Sequence, residues 1–412
     1  MSSDTRIAIT GIGVVSPAGV GVAECFDLLA SGRDLLVDLD QSWAVPPFNL
    51  GAPVGSFDAR QWIAPRRLRR MNRLSQLAVV AAYQAARQAG IEPGAAWPGT
   101  GVVMGTGLGA LAETVAFIEQ LQDEDPSLAN PGLFPSTVMN VAASQISMEL
   151  GLQGYNTTVN HKEISAELAL LLAVDALRLE RAGAVLVGAV DELSEPVHHG
   201  YRRLGALARG RPRPYRAGRD GLALGEGAAV VVLEPLAGAR ARGAALAELA
   251  GISAAGGTRP LVGWGPAPEQ GRTAGPALEA GVSAVRGALG AAGVDPGEVD
   301  LVIGSGCGSP DLDRLDAQVV AAVFGERPVP LTSPHGALGS WMGGGALRLV
   351  AAVEAIRRGA IFPTVTGGDP DPAVPAPGLV TAARQEALRT VLVCGHATGG
   401  GSAAAVLVRS DD

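Results

Sequence analysis

The feature that most constrains this chain is a unit that recurs along it: a short, unbroken apolar run closed by Gly or Pro, followed by a helix-length segment. The first run is Ile7-Ala8-Ile9-Thr10-Gly11-Ile12-Gly13-Val14-Val15, ending in the Ser16-Pro17 turn. Gly101 to Gly105, Gly183 to Val190, Leu301 to Ile303, Val391 to Val393 and Ala403 to Val408 read the same way. Runs without polar alternation belong to strands buried on both faces of the sheet. Helices are expected over Ile164 to Arg181, after Asp313, and over Ala346 to Arg358. The first of these is apolar almost all round, which suits a helix buried on most sides. The fold class is therefore α/β, with sheets covered on both faces. A second half begins near residue 245, which divides the chain into 1–245 and 246–412.

With 412 residues, 47% hydrophobic and 17% charged, the chain has ample material for two fused half-cores. The net charge is −8, and the one dense basic run, Arg66-Arg67-Leu68-Arg69-Arg70, reads as a solvated helix face, so no nucleic-acid partner is expected. The polar Met1 to Arg6 segment leads straight into a strand, and the apolar run Leu168 to Val174 is too short to span a bilayer. A cytoplasmic protein without signal peptide or membrane contact is the expectation. Cys25, Cys307 and Cys394 form neither a disulfide framework nor a zinc motif. The Gly399-Gly400-Gly401 stretch lacks the pattern of a phosphate loop. His198-His199 reads as a surface or interface pair.

Several short strings then occur in a telling order. They are Ile7 to Gly19, Met104-Gly105-Thr106-Gly107-Leu108-Gly109, Pro135 to Asn140 and Gly151-Leu152-Gln153-Gly154. Arg213-Pro214-Tyr215-Arg216 follows, with Arg219-Asp220-Gly221 and Gly225-Glu226-Gly227, then Phe362-Pro363-Thr364 and Gly395 to Ser402. Together they resemble the β-ketoacyl-acyl-carrier-protein synthases over essentially the whole chain. The resemblance implies a thiolase-like five-layered α/β/α/β/α sandwich built from two fused halves, usually as a dimer.

The same resemblance exposes what is missing. The family's condensing Cys sits at the N-terminus of a buried helix, where N–H groups and the helix dipole favour a thiolate. An ungapped count puts Glu163 there, and a carboxylate cannot form the acyl thioester. Ser305 stands where the first family His would be, in Ser305-Gly306-Cys307-Gly308-Ser309-Pro310. His335 stands at the Lys of the second loop, and Ser340 (Gly339 in a shifted alignment) at its His. Serine hydroxyls are poor substitutes for imidazoles in proton transfer at neutral pH.

Two functions follow as expectations. In the first, the chain resembles a chain-length factor: a non-condensing subunit that pairs with a catalytic ketosynthase and an acyl carrier protein in type II polyketide or polyene biosynthesis. Many members of that subfamily carry Gln at the former Cys, whereas this chain carries Glu163. The resemblance points to Leu111, Thr114 and Ile118, on one face of a helix, and to Phe134 as walls of the acyl-chain tunnel. Ordinary core packing is the competing reading for that face. In the second, a repurposed enzyme acts on a carrier-bound chain by hydrolysis, cyclisation or acyl transfer. Its machinery would be Glu163 with His335, Cys307 or His396. Neither function requires a metal or organic cofactor. A competing, purely structural reading has Glu163 plugging the pocket, paired with Lys162, His335 or a partner's Arg. A four-donor metal set of Cys307, Cys394, His335 and His396 is conceivable but has no motif spacing behind it.

Overall fold

The computed structural model describes residues 5–55, 57–91, 99–123, 129–257 and 275–410. Residues 1–4 of the polar N-terminal segment lie outside the described residues. The first half contributes β1 (Ile7–Ser16), α1 (Arg73–Gln88), β2 (Thr100–Gly105), α2 (Leu111–Asp123), α3 (Phe134–Thr137), α4 (Val141–Leu150), β3 (Asn156–Val159), α5 (Ser165–Arg178), β4 (Ala184–Asp191), α6 (Glu195–Arg203) and β5 (Gly227–Pro235). The second half contributes β6 (Ala247–Gly256), α7 (Gly275–Ala292), β7 (Leu301–Ile303), α8 (Pro310–Phe324), β8 (Leu331–Thr332), α9 (His335–Leu338), α10 (Gly345–Arg358), β9 (Thr390–His396) and β10 (Gly401–Val408). The helix expected after Asp313 begins three residues earlier, because Pro310 fits a first turn whose N–H groups need no helical partner.

The strands run in the order β8-β7-β9-β10-β6-β1-β5-β4-β2-β3, with a two-residue strand, Gly19–Val20, folded back on β1. Each half therefore repeats one order, third-second-fourth-fifth-first. The pairing senses repeat too: β2 is parallel to β3 and β4, as β7 is to β8 and β9, and the remaining pairs are antiparallel. The repeat extends to single residues. The register slips at Ile9/Gly11 in β1 and at Leu249/Gly251 in β6. A Cβ on Gly11 would lie 2.0 Å from the Ala85 carbonyl of α1, and one on Gly251 would lie 2.2 Å from the Ala288 carbonyl of α7. In both halves the outer helix packs its backbone directly on the strand, and only glycine permits that approach.

Side-chain alternation sorts the core into layers. Val102 and Met104 of β2 face α1 and α4, whereas Val103 faces inward with α5. Likewise Val302 and Leu392 face α7 and α8, while Leu301, Ile303, Val391 and Val393 join α10 in the middle. The sandwich is thus α1 and α4, first half-sheet, α5 and α10, second half-sheet, α7 and α8. This is the five-layered α/β/α/β/α architecture of the thiolase-like fold. Among the described residues no helix is long and apolar enough to cross a membrane.

Candidate functional site

The middle-layer helices α5 and α10 start close together, and the residues aligned with the condensing site gather there. Glu163, Ser305, Ser340, His335, Cys307 and His396 all line one cavity, together with Tyr201, Trp341, Met342 and Arg348. The cavity holds only about 20 Å³, room for a single water, against several hundred for a typical ligand site. Met342 packs tightly here: its side chain lies where a Cβ on Gly107 would stand. A larger cleft of about 700 Å³ lies elsewhere, beside Glu354, Arg357, Arg358 and Arg409. It is polar, Glu354 pairs with both neighbouring arginines, and none of the residues aligned with the condensing site lines it.

Glu163 sits in a tight turn, Lys162–Ile164, that feeds α5. Lys162 holds φ 52, a left-handed conformation unusual for a side-chain-bearing residue. Glu163 Oε2 accepts from the Thr398 N–H at 3.0 Å and the Thr398 hydroxyl at 3.3 Å, and the carboxylate also meets the Glu163 N–H. Two convergent backbone N–H groups are the donors that would stabilise a developing oxyanion. Here the chain's own carboxylate occupies them. Burial pushes the Glu163 carboxyl up, and these hydrogen bonds partly offset the rise. Its hydrogen-bond partner within this chain is therefore Thr398 rather than His335, and the Lys162 charge acts on it without a hydrogen bond.

His335 shares the cavity but has other duties. Arg348 Nη1 donates to its Nε2 at 2.9 Å, so Nδ1 carries the proton and donates to the Gly339 carbonyl at 3.3 Å. Burial first, and the Arg348 charge second, bring its pKa down to about 3. A neutral imidazole with both nitrogens engaged cannot form the acid/base pair with Glu163. Arg348 Nη2 in turn binds Glu167 Oε1 at 2.6 Å, both side chains being buried. Cys307 is buried, and burial raises its thiol well above the ordinary range, with the Asp313 charge adding to it. That is the environment of a packed thiol rather than of an activated one. Ser305 donates its N–H to Asp316 Oδ2, while its hydroxyl is buried without a partner among the described residues.

The conceivable four-donor metal set does not assemble. Among the described residues the donors that cluster are Asp316, Cys394 and His396, without Cys307 or His335. His198 and His199 also serve this chain itself. His198 Nε2 donates to the Phe48 carbonyl at 2.7 Å and His199 Nε2 to the Trp43 carbonyl at 3.0 Å, which pins that loop to α6.

The tunnel candidates divide. Leu111 packs beside Tyr201, Leu222 and Met342, next to the cavity. Thr114 bonds the Ala110 and Thr137 carbonyls between α2 and α3. Ile118 and Phe134 are 44% and 56% exposed, and Phe134 stacks edge-on with Phe117. Met139 and Met148 are exposed as well, the latter at 61%. Packing is continuous from α2 through α3 and α4 to β3, the outermost strand of its half-sheet.

Sequence reasoning missed Arg348, Glu167 and Asp316. For Glu167 and Arg348 the signal was present: each is an isolated charge within an apolar stretch of a buried helix, and buried charges need partners. Asp316 sits among Asp311, Asp313 and Arg314, so nothing in its local sequence set it apart.

The family description "Beta-ketoacyl synthase, N-terminal domain" matches residues 4–239, and "Beta-ketoacyl synthase, C-terminal domain" matches residues 267–367. The chain is 32% identical to the tetracenomycin polyketide synthase ketoacyl synthase alpha subunit of Streptomyces glaucescens, covering 99% of this chain and 98% of that one. It is 28% identical to 3-oxoacyl-[acyl-carrier-protein] synthase 2 of Coxiella burnetii, covering 99% of both. Among solved structures, the ishigamide ketosynthase/chain length factor superposes with a TM-score of 0.88 at 27% identity, covering 99% of this chain and 100% of that chain. A β-ketoacyl synthase from Burkholderia phymatum gives 0.87 at 26%, with the same coverage.

Proposed function

The chain belongs to the β-ketoacyl synthase family, and on that premise we propose that it is a non-condensing subunit of a type II polyketide or polyene system. It pairs with a catalytic ketosynthase, receives no acyl group itself, and helps shape the tunnel for a chain delivered by an acyl carrier protein. The observation that carries this reading is the closed site. Glu163 replaces the nucleophile, fills the two N–H groups an oxyanion would need, and borders a cavity with room for one water. A condensing enzyme needs a thiolate, an oxyanion site and space for two acyl groups, and this pocket offers none of them. The same closure weighs against a repurposed hydrolase, cyclase or acyltransferase, which would need an open pocket.

Relatives support the partner assignment, since they include a polyketide ketoacyl synthase subunit and a ketosynthase/chain length factor structure. The exposed apolar face of Ile118, Phe134, Met139 and Met148 beside the β3 edge is where such a partner would dock. Leu111 and Thr114 lie between that face and the old pocket, on the route an acyl chain entering from the partner would follow. The 1–245 and 246–412 halves serve this role together, because cavity residues come from both.

The test is co-expression with a ketosynthase that retains its Cys and both His, followed by the mass of the purified complex and acyl loading of each chain. A one-to-one complex in which only the partner is acylated is expected. A homodimer that turns over an acyl-carrier substrate, and loses that activity in Glu163→Ala, would overturn the proposal.

A further inference from the structure

Beside the closed pocket, three side chains of metal-binding type meet in full burial. Cys394 and His396 stand two apart on β9, so both project from the same face of the strand. Gly395 separates them where a Cβ would lie 2.5 Å from Arg348 Nη2 and 2.7 Å from Glu167 Oε1. Asp316 comes from the second turn of α8. Its Oδ1 lies 3.2 Å from His396 Nε2 and 3.3 Å from Cys394 Sγ, and the three donor atoms all fall within 4.8 Å of one another. Donors bound tetrahedrally to zinc at ordinary bond lengths lie roughly 3.3–3.6 Å apart, so the Asp316 spacings are close to those of a ligand set.

The surrounding atoms orient each donor as a metal site requires. His396 Nε2 donates to Asp316 Oδ1 in this structure, and Ser402 Oγ, 2.9 Å from Nδ1, is placed to accept the ring proton when a metal takes Nε2. Asp316 Oδ2 is held by the Tyr215 hydroxyl at 2.5 Å and the Ser305 N–H at 2.9 Å, which turns Oδ1 toward Cys394 and His396. Gly304 keeps this contact possible, since a Cβ there would meet Asp316 Oδ2 at 2.4 Å and the Tyr215 hydroxyl at 2.6 Å.

We propose that Asp316, Cys394 and His396 form a structural binding site for one divalent transition metal, with zinc the best match to a carboxylate, thiolate and imidazole set. Charge supports the assignment. A dication against one carboxylate and one thiolate leaves the buried site neutral, which removes the penalty of burying an unpaired charge. Entry of the metal releases the Cys394 thiol proton to solvent and places the His396 proton on Nδ1. A water completes the four-coordinate set. The site ties α8 to β9 and, through Ser402, to β10. It is independent of the proposed role as a non-condensing subunit.

The full chain, without a polyhistidine tag, is grown with zinc and assayed for bound metal. About one zinc per chain is expected, falling below about 0.1 in Cys394→Ala and in Asp316→Asn, while Cys307→Ala keeps it. Growth on cobalt should give a thiolate-to-cobalt charge-transfer band that Cys394→Ala lacks. Because core variants can fail to fold, the wild-type chain decides by itself. Less than about 0.1 metal per chain, with none taken up on refolding in zinc, would mean that the three residues are only hydrogen-bonded. Full metal content in a folded Cys394→Ala would equally overturn the proposal.

Discussion

Replacing Arg348 by Met tests whether the buried charge network holds the middle layer together. Arg348 and Glu167 are 3% and 0% exposed, and they join α10 of the second half to α5 of the first. Met fills much of the arginine stem, so the change removes the charge with little loss of packing. It leaves the Glu167 carboxylate buried without its partner, a change that costs about 3–5 kcal/mol. For a chain of 412 residues unfolding as one unit, the unfolding entropy is about 0.9 kcal/mol/K, so the midpoint should fall by about 3–6 °C. Adding Glu167→Gln removes the orphaned charge and should restore the midpoint to within about 1 °C of wild type, since a buried pair replaced as a whole is often near neutral. Arg60→Met, which breaks an exposed pair with Asp58, should leave it unmoved. Differential scanning calorimetry on the four proteins reads all of this. A drop below about 1 °C in Arg348→Met, or a double variant no better than the single, would refute the claim that the pair is a buried, mutually dependent unit.

Phe134→Asp should weaken the complex with the ketosynthase by at least about tenfold while leaving the melting of the isolated chain nearly unchanged, because the ring is exposed until a partner covers it. Co-purification and titration measure it, and undiminished binding would remove Phe134 from the interface. Thr114→Trp should shorten the product made by the pair, as read by mass spectrometry; an unchanged product length would sink the tunnel assignment. Glu192 accepts from the Ala112 N–H at the start of α2, and burial, with Glu226 and Glu113 adding to it, pushes its pKa up to about 7. A carboxyl raised in the folded state stabilises fully below its unfolded pKa and loses that contribution as pH rises to about 7, here up to about 3 kcal/mol. Wild type should therefore lose stability relative to Glu192→Gln between pH 5 and 8, and parallel melting curves across that range would contradict the shift.

The architecture was legible because its signal is local. Unbroken apolar runs such as Ala184 to Val190 mark strands covered on both faces, and a helix as apolar as Ser165–Arg178 has to be interior. The gathering of Glu163, Ser305, Ser340, His335, Cys307 and His396 around one cavity was legible through family order. Their hydrogen-bond partners were not, because those depend on contacts between residues far apart in sequence. Thr398 reaches Glu163 across 235 positions, and Arg348 reaches Glu167 across 181. No spacing rule could have taken His335 from Glu163 and given it to Arg348. The exposed surface on Ile118 and Phe134 was hidden for another reason. Periodicity marks the apolar face of a helix but does not say whether that face meets its own core or another chain.

The turn at Lys162 and Glu163 explains how the site can close while the fold persists. A left-handed, side-chain-bearing residue costs roughly 1–3 kcal/mol, and such strain usually marks chemistry. Here a carboxylate rather than a thiol stands at 163, and Lys162 holds φ 52. The constraint lies in the packing. The Ser165 hydroxyl accepts the His161 N–H at 2.8 Å and lies 2.7 Å from the Lys162 carbonyl, closing the turn on itself. The Asn160 side chain donates to the Gly107 carbonyl at 2.8 Å, and a Cβ on Gly105 would come within 2.7 Å of the Ser165 backbone. The contacts that start α5 against β2 thus involve Asn160, His161 and Ser165 and do not use the side chain at 163. With a nucleophile at 163, the N–H groups of that position and of Thr398 would be free to receive the oxyanion of the attacked carbonyl. Glu163 uses them for its own carboxylate, and that contact with Thr398 fastens the β9–β10 hairpin over the pocket. On this account the strain serves the architecture first, and the architecture is what a ketosynthase partner would recognise.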